Sequence, residues 1–335
     1  MNKIWHKLYD YESRDLIERF ISKKHNRKAS ARQVSEISSN IIQSREFFRN
    51  AEDANLSVKP LLLYYGVNSL SRGLVLLLNP YLSESSLKPS HGLDTINWRQ
   101  SISENNLKDL TVEINNGGFY ELLTSTKNKS YLKLHSSGIN WKVNFPVPNL
   151  KKRFTLENLI RIIPDLNVEY NKWLNENFET LKVSKFASND MEYRFTIEKF
   201  KINQTIISNN FDSNILSNIR ITENTSNFEI AIPVTYFPQL SQSINEDIFG
   251  IGNVTLCRLI PDNIYLNSIS QLYCLSFYLG MLSRYFPSYW INLNKTEKGD
   301  SIYPLLLKSI DLIIDDYPTL IYEFLEGPYN FEIAE

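Results

Sequence analysis

The stretch KPLLLYYGVNSLSRGLVLLLNP at residues 59–80 decides the fold of this chain. Wound as a helix, it presents apolar side chains on nearly every side, and such a helix is either buried or membrane-spanning. A membrane-spanning helix needs about 20 mostly apolar residues. Here Asn68 and Arg72 interrupt the run, together with two glycines and two serines. We therefore predict a core helix rather than one that spans a membrane.

The same helix carries the most unusual polar group of the sequence. Tyr65, Asn68 and Arg72 recur at helical spacing and therefore share one face. A buried arginine must be paired with a carboxylate or must line a cavity, because an unpaired buried charge is too costly. On a functional interpretation, these side chains converge on a pocket with His91, which lies in the polar turn Ser90–Leu93.

A structural interpretation of the same residues stays open beside the functional one. In that case Arg72 pairs with a carboxylate of the preceding helix, such as Glu46 or Glu52, and His91 caps a turn. The two interpretations differ in whether the arginine is available to a ligand.

Four segments resemble the YaaC-like family of bacterial proteins, and together they extend over most of the chain. The segments are FFRNAEDANLSVKPLLLYYGVNSLSRGLVLLLNP at 47–80, SHGL at 90–93, GGFYEL at 117–122 and LSRYFPSYW at 282–290. The resemblance implies a shared architecture. It implies no mechanism, because the family is functionally uncharacterised.

The central helix also resembles, more loosely, HEPN-type helical domains. These often combine a YYxxxxxxRxxL helix with a following Ser-His pair, and the pattern here is similar at Tyr64, Tyr65, Arg72, Ser90 and His91. Many HEPN proteins are RNases, and others bind nucleotides or protein partners. The resemblance implies a nucleotide- or RNA-binding component, or an RNase, in bacterial stress or antiviral defence.

Composition describes an ordinary soluble globular protein. The chain has 335 residues, enough for one large domain or two modest ones, with 42% hydrophobic and 22% charged residues. Its formal net charge of −1 gives no overall attraction to nucleic acid or to an anionic membrane. Cys257 and Cys274 fit buried free thiols in a reducing compartment, and the N-terminus lacks the apolar region of a secretory signal. We expect a cytoplasmic protein.

Two helices are predicted before the central one, over residues 6–24 and 31–54, each with apolar side chains at helical spacing. Between them, residues 23–32 form a basic turn. Cations suit the C-terminal end of a helix, and the turn is either such a solvated helix end or a patch that contacts phosphate.

The middle of the chain is predicted to be rich in strands. After a polar, loop-like segment over 81–106, alternating patterns predict strands in 107–147 and again in 178–260, with a short helix at GGFYELL and another that Thr155 caps. Gly250 and Gly252 belong to a turn, since neither the third glycine of a dinucleotide fingerprint nor the lysine of a P-loop follows.

The last third returns to helix. One long apolar helix is predicted over 266–285, and another begins at Asp300 or Ser301 and ends at Tyr317, before a last segment that starts at Pro318.

This order of elements predicts an α+β fold, in which the N- and C-terminal helices form one bundle and the β-rich section packs beside it. We divide the chain into an N-terminal helical part at 1–105, a β-rich middle at 106–262 and C-terminal helices at 263–335.

Motifs for metal and hydrolase chemistry are missing from the sequence. The four histidines and two cysteines form neither HExxH nor CxxC, and no GxSxG elbow occurs. Asp311, Asp315 and Asp316 have a spacing that can share a cation, but we interpret them as an exposed acidic helix face. We expect no metal and no cofactor.

Two further patterns involve arginine. Arg19 and His25 match the R-x4-6-H spacing of HEPN ribonucleases, but Phe20 stands where an active motif often has a polar residue. The segment Arg284–Trp290 ends the long apolar helix. Its aromatic residues can staple that helix to the bundle, or Arg284 can join Arg72 around an anionic ligand.

Two hypotheses follow, and they differ in class. The first is a protein that binds or acts on a nucleotide or RNA, with His91 and Arg72 as candidate catalytic residues and Tyr65, Asn68 and Arg284 as ligand-binding residues. The second is a non-catalytic scaffold or partner-binding subunit, or a homo-oligomer, in which these residues are structural. Whether the protein is an enzyme stays open at the level of sequence.

Overall fold

The computed structural model describes residues 3–133, 139, 141–175, 180–199, 202–211, 216–236, 244–246, 254–257, 260–295 and 300–327. The predicted turn at Gly250 and Gly252 lies outside these residues.

Four helices open the chain: α1 (Ile4–Leu8), α2 (Arg14–His25), α3 (Ala31–Asp53) and α4 (Lys59–Leu78). The prediction of one helix over 6–24 is wrong, because a short 3-10 turn at Tyr9–Tyr11 separates α1 from α2. Ser13 has an extended backbone, with φ −79° and ψ 123°, and the first helix therefore cannot continue into the second. The predictions for α3 and α4 are confirmed.

Helix α4 is buried against α3 because its glycines allow a close approach. A Cβ atom on Gly66 would lie 2.7 Å from Cδ2 of Phe48, and one on Gly73 would lie 2.6 Å from Cδ1 of Ile41. By length and composition α4 could cross a membrane, yet 67% of its most apolar window is buried inside the protein. Its apolar surface is thus largely covered by other parts of the chain.

A small antiparallel sheet follows α4, in the order β1–β2–β5. Its strands are β1 (His91–Ile96), β2 (Thr111–Gly117) and β5 (Arg153–Thr155), and its neighbours are α5 (Trp98–Ser103), α6 (Gly118–Ser125), α7 (Leu156–Arg161) and α8 (Asn167–Leu174). The prediction of a loop over 81–106 is wrong, since this segment holds β1 and α5. Strand β1 is short and gains its hydrogen bonds from β2, which pairs Leu93 with Ile114. Thr155 caps α7 as predicted.

The remaining strands form a hairpin and a larger antiparallel sheet. The hairpin consists of β3 (Lys129–Leu132) and β4 (Trp141–Asn144). The six-stranded sheet has the order β10–β11–β6–β7–β9–β8, with β6 (Leu181–Ser188), β7 (Glu192–Glu198), β8 (Arg220–Glu223), β9 (Asn227–Pro233), β10 (Ile244–Glu246) and β11 (Val254–Leu256); α9 (Gln204–Asn209) lies between β7 and β8 in the chain. The alternating patterns of this region therefore predicted strands correctly.

Three helices close the described chain: α10 (Ser268–Tyr285), α11 (Pro287–Leu293) and α12 (Tyr303–Glu326). The prediction that a helix ends at Tyr317 is wrong, because α12 runs through Pro318. Proline in a helix removes one backbone hydrogen bond. Ile321, Phe324 and Leu325 continue the buried apolar face beyond it, and their burial favours the unbroken helix.

Two hydrophobic cores organise the fold, which is α+β as predicted. The first core joins the N-terminal helices, α10 and α12 with the small sheet, and the second lies under the six-stranded sheet and the hairpin. Helices from both ends of the chain thus share one core, with α10 packed directly on α4. The division at residues 105 and 262 stays a prediction.

Candidate functional site

The candidate site is built on the exposed end of the contact between α4 and α10. On α4, Tyr64 is fully buried, while Tyr65 and Asn68 are half-buried on the neighbouring face. Gly280 of α10 faces Tyr64, since a Cβ atom there would lie only 2.7 Å from the tyrosine Cβ. The absence of a side chain at Gly280 lets the two helices approach and fixes the position of Tyr64.

His91 reaches this contact because the backbones of two glycines, Gly92 and Gly117, pack closely beside it. Gly92 has φ +80° and Gly117 has φ +148°, backbone conformations that side chains disfavour. A Cβ atom on Gly117 would collide with the backbone of Gly92 and Ser90. His91 is thereby placed at the first position of β1, where its ring packs edge-on against Tyr64. It starts a strand and does not cap a turn.

A short hydrogen-bond network joins α4, β1 and α10 at this point. The Tyr64 hydroxyl lies 2.6 Å from Nδ1 of His91. The Tyr273 hydroxyl lies 3.1 Å from Oδ1 of Asn68 and 3.3 Å from the backbone oxygen of His91. Asn68 is therefore connected to the backbone of His91 through the Tyr273 hydroxyl and does not contact the His91 ring by a hydrogen bond of its own.

The protonation of His91 follows from its partners. Burial raises the pKa of Tyr64, so this hydroxyl keeps its proton and can donate it to Nδ1 of His91. A neutral imidazole that accepts at Nδ1 carries its hydrogen on Nε2. Burial and the charge of Arg284 lower the pKa of His91, while Asp94 raises it. Because Nε2 has no hydrogen-bond partner among the described residues, His91 can offer an N–H group to a ligand.

Arg284, at the end of α10, lies on the same side of the protein. Its guanidinium donates to the Tyr65 hydroxyl over 3.0 Å and lies 5.0 Å from the ring centroid of Tyr285. Tyr65 in turn stacks on Phe47. Within the described part of the chain, Arg284 is exposed and has no carboxylate partner. Its position is fixed by aromatic residues while its charge stays available.

An open pocket of about 690 Å³ lies beside these residues. One wall is formed by His91 and the following residues of β1 and α5, and the other by the last turns of α10 with Phe277, Met281 and Tyr285. Trp98 holds the first wall in place, because its ring stacks on Tyr278 and its indole N–H donates to a backbone oxygen of β2. The pocket combines an apolar floor with a histidine.

The charged groups of the pocket have both signs. Asp94 lines it and accepts a hydrogen bond of 2.5 Å from Asn115. Arg99 lines it as well, is exposed, and forms no ion pair within the described residues. With Arg284 nearby, cations outnumber anions around the opening, which favours an anionic ligand.

Arg72 does not join this group. Its guanidinium lies 3.9 Å from the carboxylate of Glu84, and the predicted pairing with Glu46 or Glu52 is therefore wrong. Glu46 pairs with Arg45 instead. Of the five predicted site residues, the structure brings His91, Tyr65, Asn68 and Arg284 together and places Arg72 about one helical turn beyond Asn68, at the loop that holds Glu84.

Other candidate patterns also have structural partners. A ring nitrogen of His25 lies 2.8 Å from the backbone oxygen of Leu77, at the end of α4, so the Arg19–His25 spacing does not leave His25 free. Burial, then Asp311 and Glu52, raise the pKa of Asp315. No group of three metal-binding side chains converges among the residues that the structure describes.

Sequence reasoning missed several residues of the site. Tyr273, Phe277 and Met281 recur every four residues on α10 and together form one stripe that faces His91 and the pocket. This spacing is visible in the sequence, but α10 is apolar on all sides, and the stripe therefore does not stand out. Tyr64 belongs to the HEPN-like pattern but was not predicted as a site residue, and Asp94 and Arg99 carried no local signal.

Comparison with known proteins gives a family and no closer relative. The family model described as YaaC-like Protein matches residues 10–325. No curated protein and no solved structure matches the chain. The match extends from the 3-10 turn that follows α1 to the last turn of α12 and includes every residue of the candidate site. The chain belongs to the YaaC-like protein family.

Proposed function

We propose that this protein binds a nucleotide, free or at the end of a single-stranded RNA, in the pocket between β1, α5 and α10. The phosphate lies against His91 and Arg284, and the base lies on the apolar floor near Phe277 and Tyr285. Arg is suited to phosphate because its planar guanidinium presents several donors at once.

The observation that carries this proposal is the pairing of two unused donors at one opening. Arg284 has no carboxylate partner among the described residues, and Nε2 of His91, which carries the ring hydrogen when Tyr64 donates to Nδ1, has no hydrogen-bond partner there. Both are held from behind by tyrosines, Tyr65 and Tyr64 respectively. Donors that are fixed in advance lose little freedom when a ligand binds.

Binding is better supported than cleavage. A neutral imidazole with its hydrogen on Nε2 donates a hydrogen bond, but it is not the base that would deprotonate a 2′-hydroxyl group. His91 is therefore proposed as a ligand-binding residue, and Arg72, which lies at Glu84, is left out of the site. A HEPN-like RNase activity and a role in stress or antiviral defence stay predictions.

The alternative is a partner-binding subunit without a small ligand. Two exposed apolar side chains favour it: Tyr285, which lines the pocket and has 57% of its surface accessible, and Ile291 of α11, with 46%. In that case Arg284 and His91 contact another protein and have no preference for nucleotides.

Calorimetric titration with adenosine monophosphate and with adenosine separates these possibilities. We expect the monophosphate to bind and adenosine to bind at least tenfold more weakly. Arg284→Gln should lower the affinity for adenosine monophosphate about tenfold or more. A hydrogen bond to a charged group contributes about 1.5–3 kcal/mol, and about 1.4 kcal/mol corresponds to a tenfold change in affinity. Lys185→Gln, on the exposed face of β6, is the matched control.

Two results would contradict the proposal. The first is equal affinity for adenosine and its monophosphate, and the second is an Arg284→Gln protein that is folded by circular dichroism and binds as the wild type does. Incubation of wild type with labelled RNA in the presence of a chelator tests cleavage separately. Cleavage that is lost in His91→Gln would restore the catalytic interpretation of that residue.

A further inference from the structure

A second surface, on the far end of α4, has the chemistry of a single-strand contact. It follows the loop 79–90, which leads from the end of α4 to His91. Three arginines contact this loop: Arg27 donates to the backbone oxygen of Pro80 over 2.6 Å, Arg32 to the Ser85 hydroxyl over 3.2 Å, and Arg72 lies at Glu84. We call it the loop surface.

Tyr81 is the most exposed large hydrophobic side chain described in this protein, with 85% of its surface accessible. The guanidinium of Arg27 lies 4.6 Å from its ring centroid. Because Arg27 is also bonded to Pro80, it is held under one face of the ring, and the ring's exposure leaves room for a further flat group. Aromatic rings and arginine side by side stack nucleic-acid bases without a sequence preference.

The charge of the loop surface is mostly positive. Three carboxylates contact it: Glu36 lies against Arg32, Glu84 lies against Arg72, and Glu121 accepts from the backbone N–H of Lys88. The side chains of Arg27, Lys28 and Lys88 are exposed and have no carboxylate partner among the described residues. The net charge of −1 for the whole chain hides this local excess.

The distance between the pocket and the loop surface determines what kind of ligand can contact both. Tyr65 and Leu77 are about 18 Å apart along α4, at about 1.5 Å per residue. Tyr81 lies beyond Leu77, and a mononucleotide in the pocket cannot reach it. A polymer that follows loop 79–90 can contact Arg72 on the way.

We propose that the loop surface binds single-stranded RNA, with one base stacked on Tyr81 and phosphates at Arg27, Lys28 and Arg72, continuous with the nucleotide in the pocket. That the RNA continues into the pocket rests on the function proposed for the pocket, whereas the stacking site at Tyr81 does not depend on it. RNA is then held at both ends of α4.

Fluorescence anisotropy with a labelled single-stranded RNA of about ten nucleotides, within the usual site sizes, tests this inference. We expect Tyr81→Ala to weaken binding about fivefold or more, as the loss of one stacked base does, and Tyr81→Phe to restore it. Lys28→Gln should make the dependence of affinity on salt less steep. The matched controls are Met191→Ala, at a side chain that is 82% exposed, and Lys185→Gln.

The outcomes separate this inference from the proposal for the pocket. Weaker RNA binding by Tyr81→Ala with unchanged affinity for adenosine monophosphate supports the loop surface. Unchanged RNA affinity in Tyr81→Ala, or no RNA binding by the wild type, overturns it, while the monophosphate titration still decides the pocket. RNA binding that depends on Tyr81 but not on Arg284 would keep the loop surface and contradict the continuity of the RNA with the pocket.

Discussion

The hydroxyl of Tyr64 lies 2.6 Å from Nδ1 of His91, and this contact joins residues 27 positions apart in the chain. It ties α4, the most buried helix of the N-terminal half, to the first residue of β1. The tyrosine is fully buried, while the histidine lines an open pocket. A core side chain thereby sets the orientation of a half-buried side chain of the pocket.

Removing the hydroxyl tests this contact. Tyr64→Phe should lower the free energy of unfolding by about 1–3 kcal/mol, because it leaves a ring nitrogen of the half-buried His91 without its partner. Urea denaturation measures the loss, and nitrogen chemical shifts of His91 report the tautomer. Tyr65→Phe is the control, and a loss of less than about 1 kcal/mol is expected there since its hydroxyl contacts an exposed arginine. Equal losses in the two variants would contradict the assignment.

The lowered pKa of His91 gives a dependence of stability on pH. The folded protein holds this group neutral, whereas the unfolded chain protonates it near its ordinary pKa of about 6.5. As the pH falls through that value, the unfolded state takes up the proton first, and the contribution of His91 to stability decreases.

The test compares the stability of the wild type with that of the His91→Gln variant at two pH values. His91→Gln should cost more stability at about pH 7.5 than at about pH 5.5, on either side of the ordinary histidine pKa. Denaturation curves of wild type and variant at both pH values measure it. A cost that increases as the pH falls would show that the folded state favours the charged imidazole.

Gly280 should be intolerant of a side chain. A Cβ atom there would lie 2.7 Å from Cβ and 3.1 Å from Cγ of Tyr64. Tyr64 cannot shift away from it without also displacing His91, to which its hydroxyl is hydrogen-bonded. We expect Gly280→Ala to destabilise the protein by about 1–3 kcal/mol, as overpacking does, and to weaken binding in the pocket. Thermal unfolding and the monophosphate titration measure both effects.

Gly73→Ala is the comparison on the other side of α4. The added Cβ atom would meet Cδ1 of Ile41, the far end of a flexible side chain. That atom can move aside, and alanine also favours the helix by about 0.5–1 kcal/mol relative to glycine. A near-neutral effect is expected, and a loss as large as that of Gly280→Ala would contradict the argument.

Asn267 should contribute more than an ordinary helix cap. It is fully buried, caps α10 by accepting from the backbone of Ser270 over 2.8 Å, and donates to Thr126 over 3.0 Å. Asn267→Ala should therefore cost more than about 2 kcal/mol, from the lost cap and from buried groups left without a partner. Asn203→Ala, at the exposed cap of α9, should cost about 1 kcal/mol. Similar costs in urea denaturation would argue against a role for burial.

Local patterns predicted the elements that are long or strictly periodic. The prediction of α3, α4 and most strands held because an apolar face repeats over many residues and does not depend on the partner that covers it. It failed at β1, whose six residues are stable as a strand only through pairing with β2. It failed at Pro318 as well, where the buried face on both sides of the proline outweighs one missing hydrogen bond.

The sequence by itself determined that α4 is a core helix, that both ends of the chain are helical and that Tyr65, Asn68 and Arg72 share one face. Only the tertiary structure decided which of these face residues lie beside His91 and Arg284. Helical periodicity is local, but the partner of Tyr65 lies 219 residues away at Arg284. Along the shared face of α4, α10 contacts Asn68 and Tyr65, whereas the loop that holds Glu84 contacts Arg72 one turn farther on, and helical spacing alone does not show where these contacts fall.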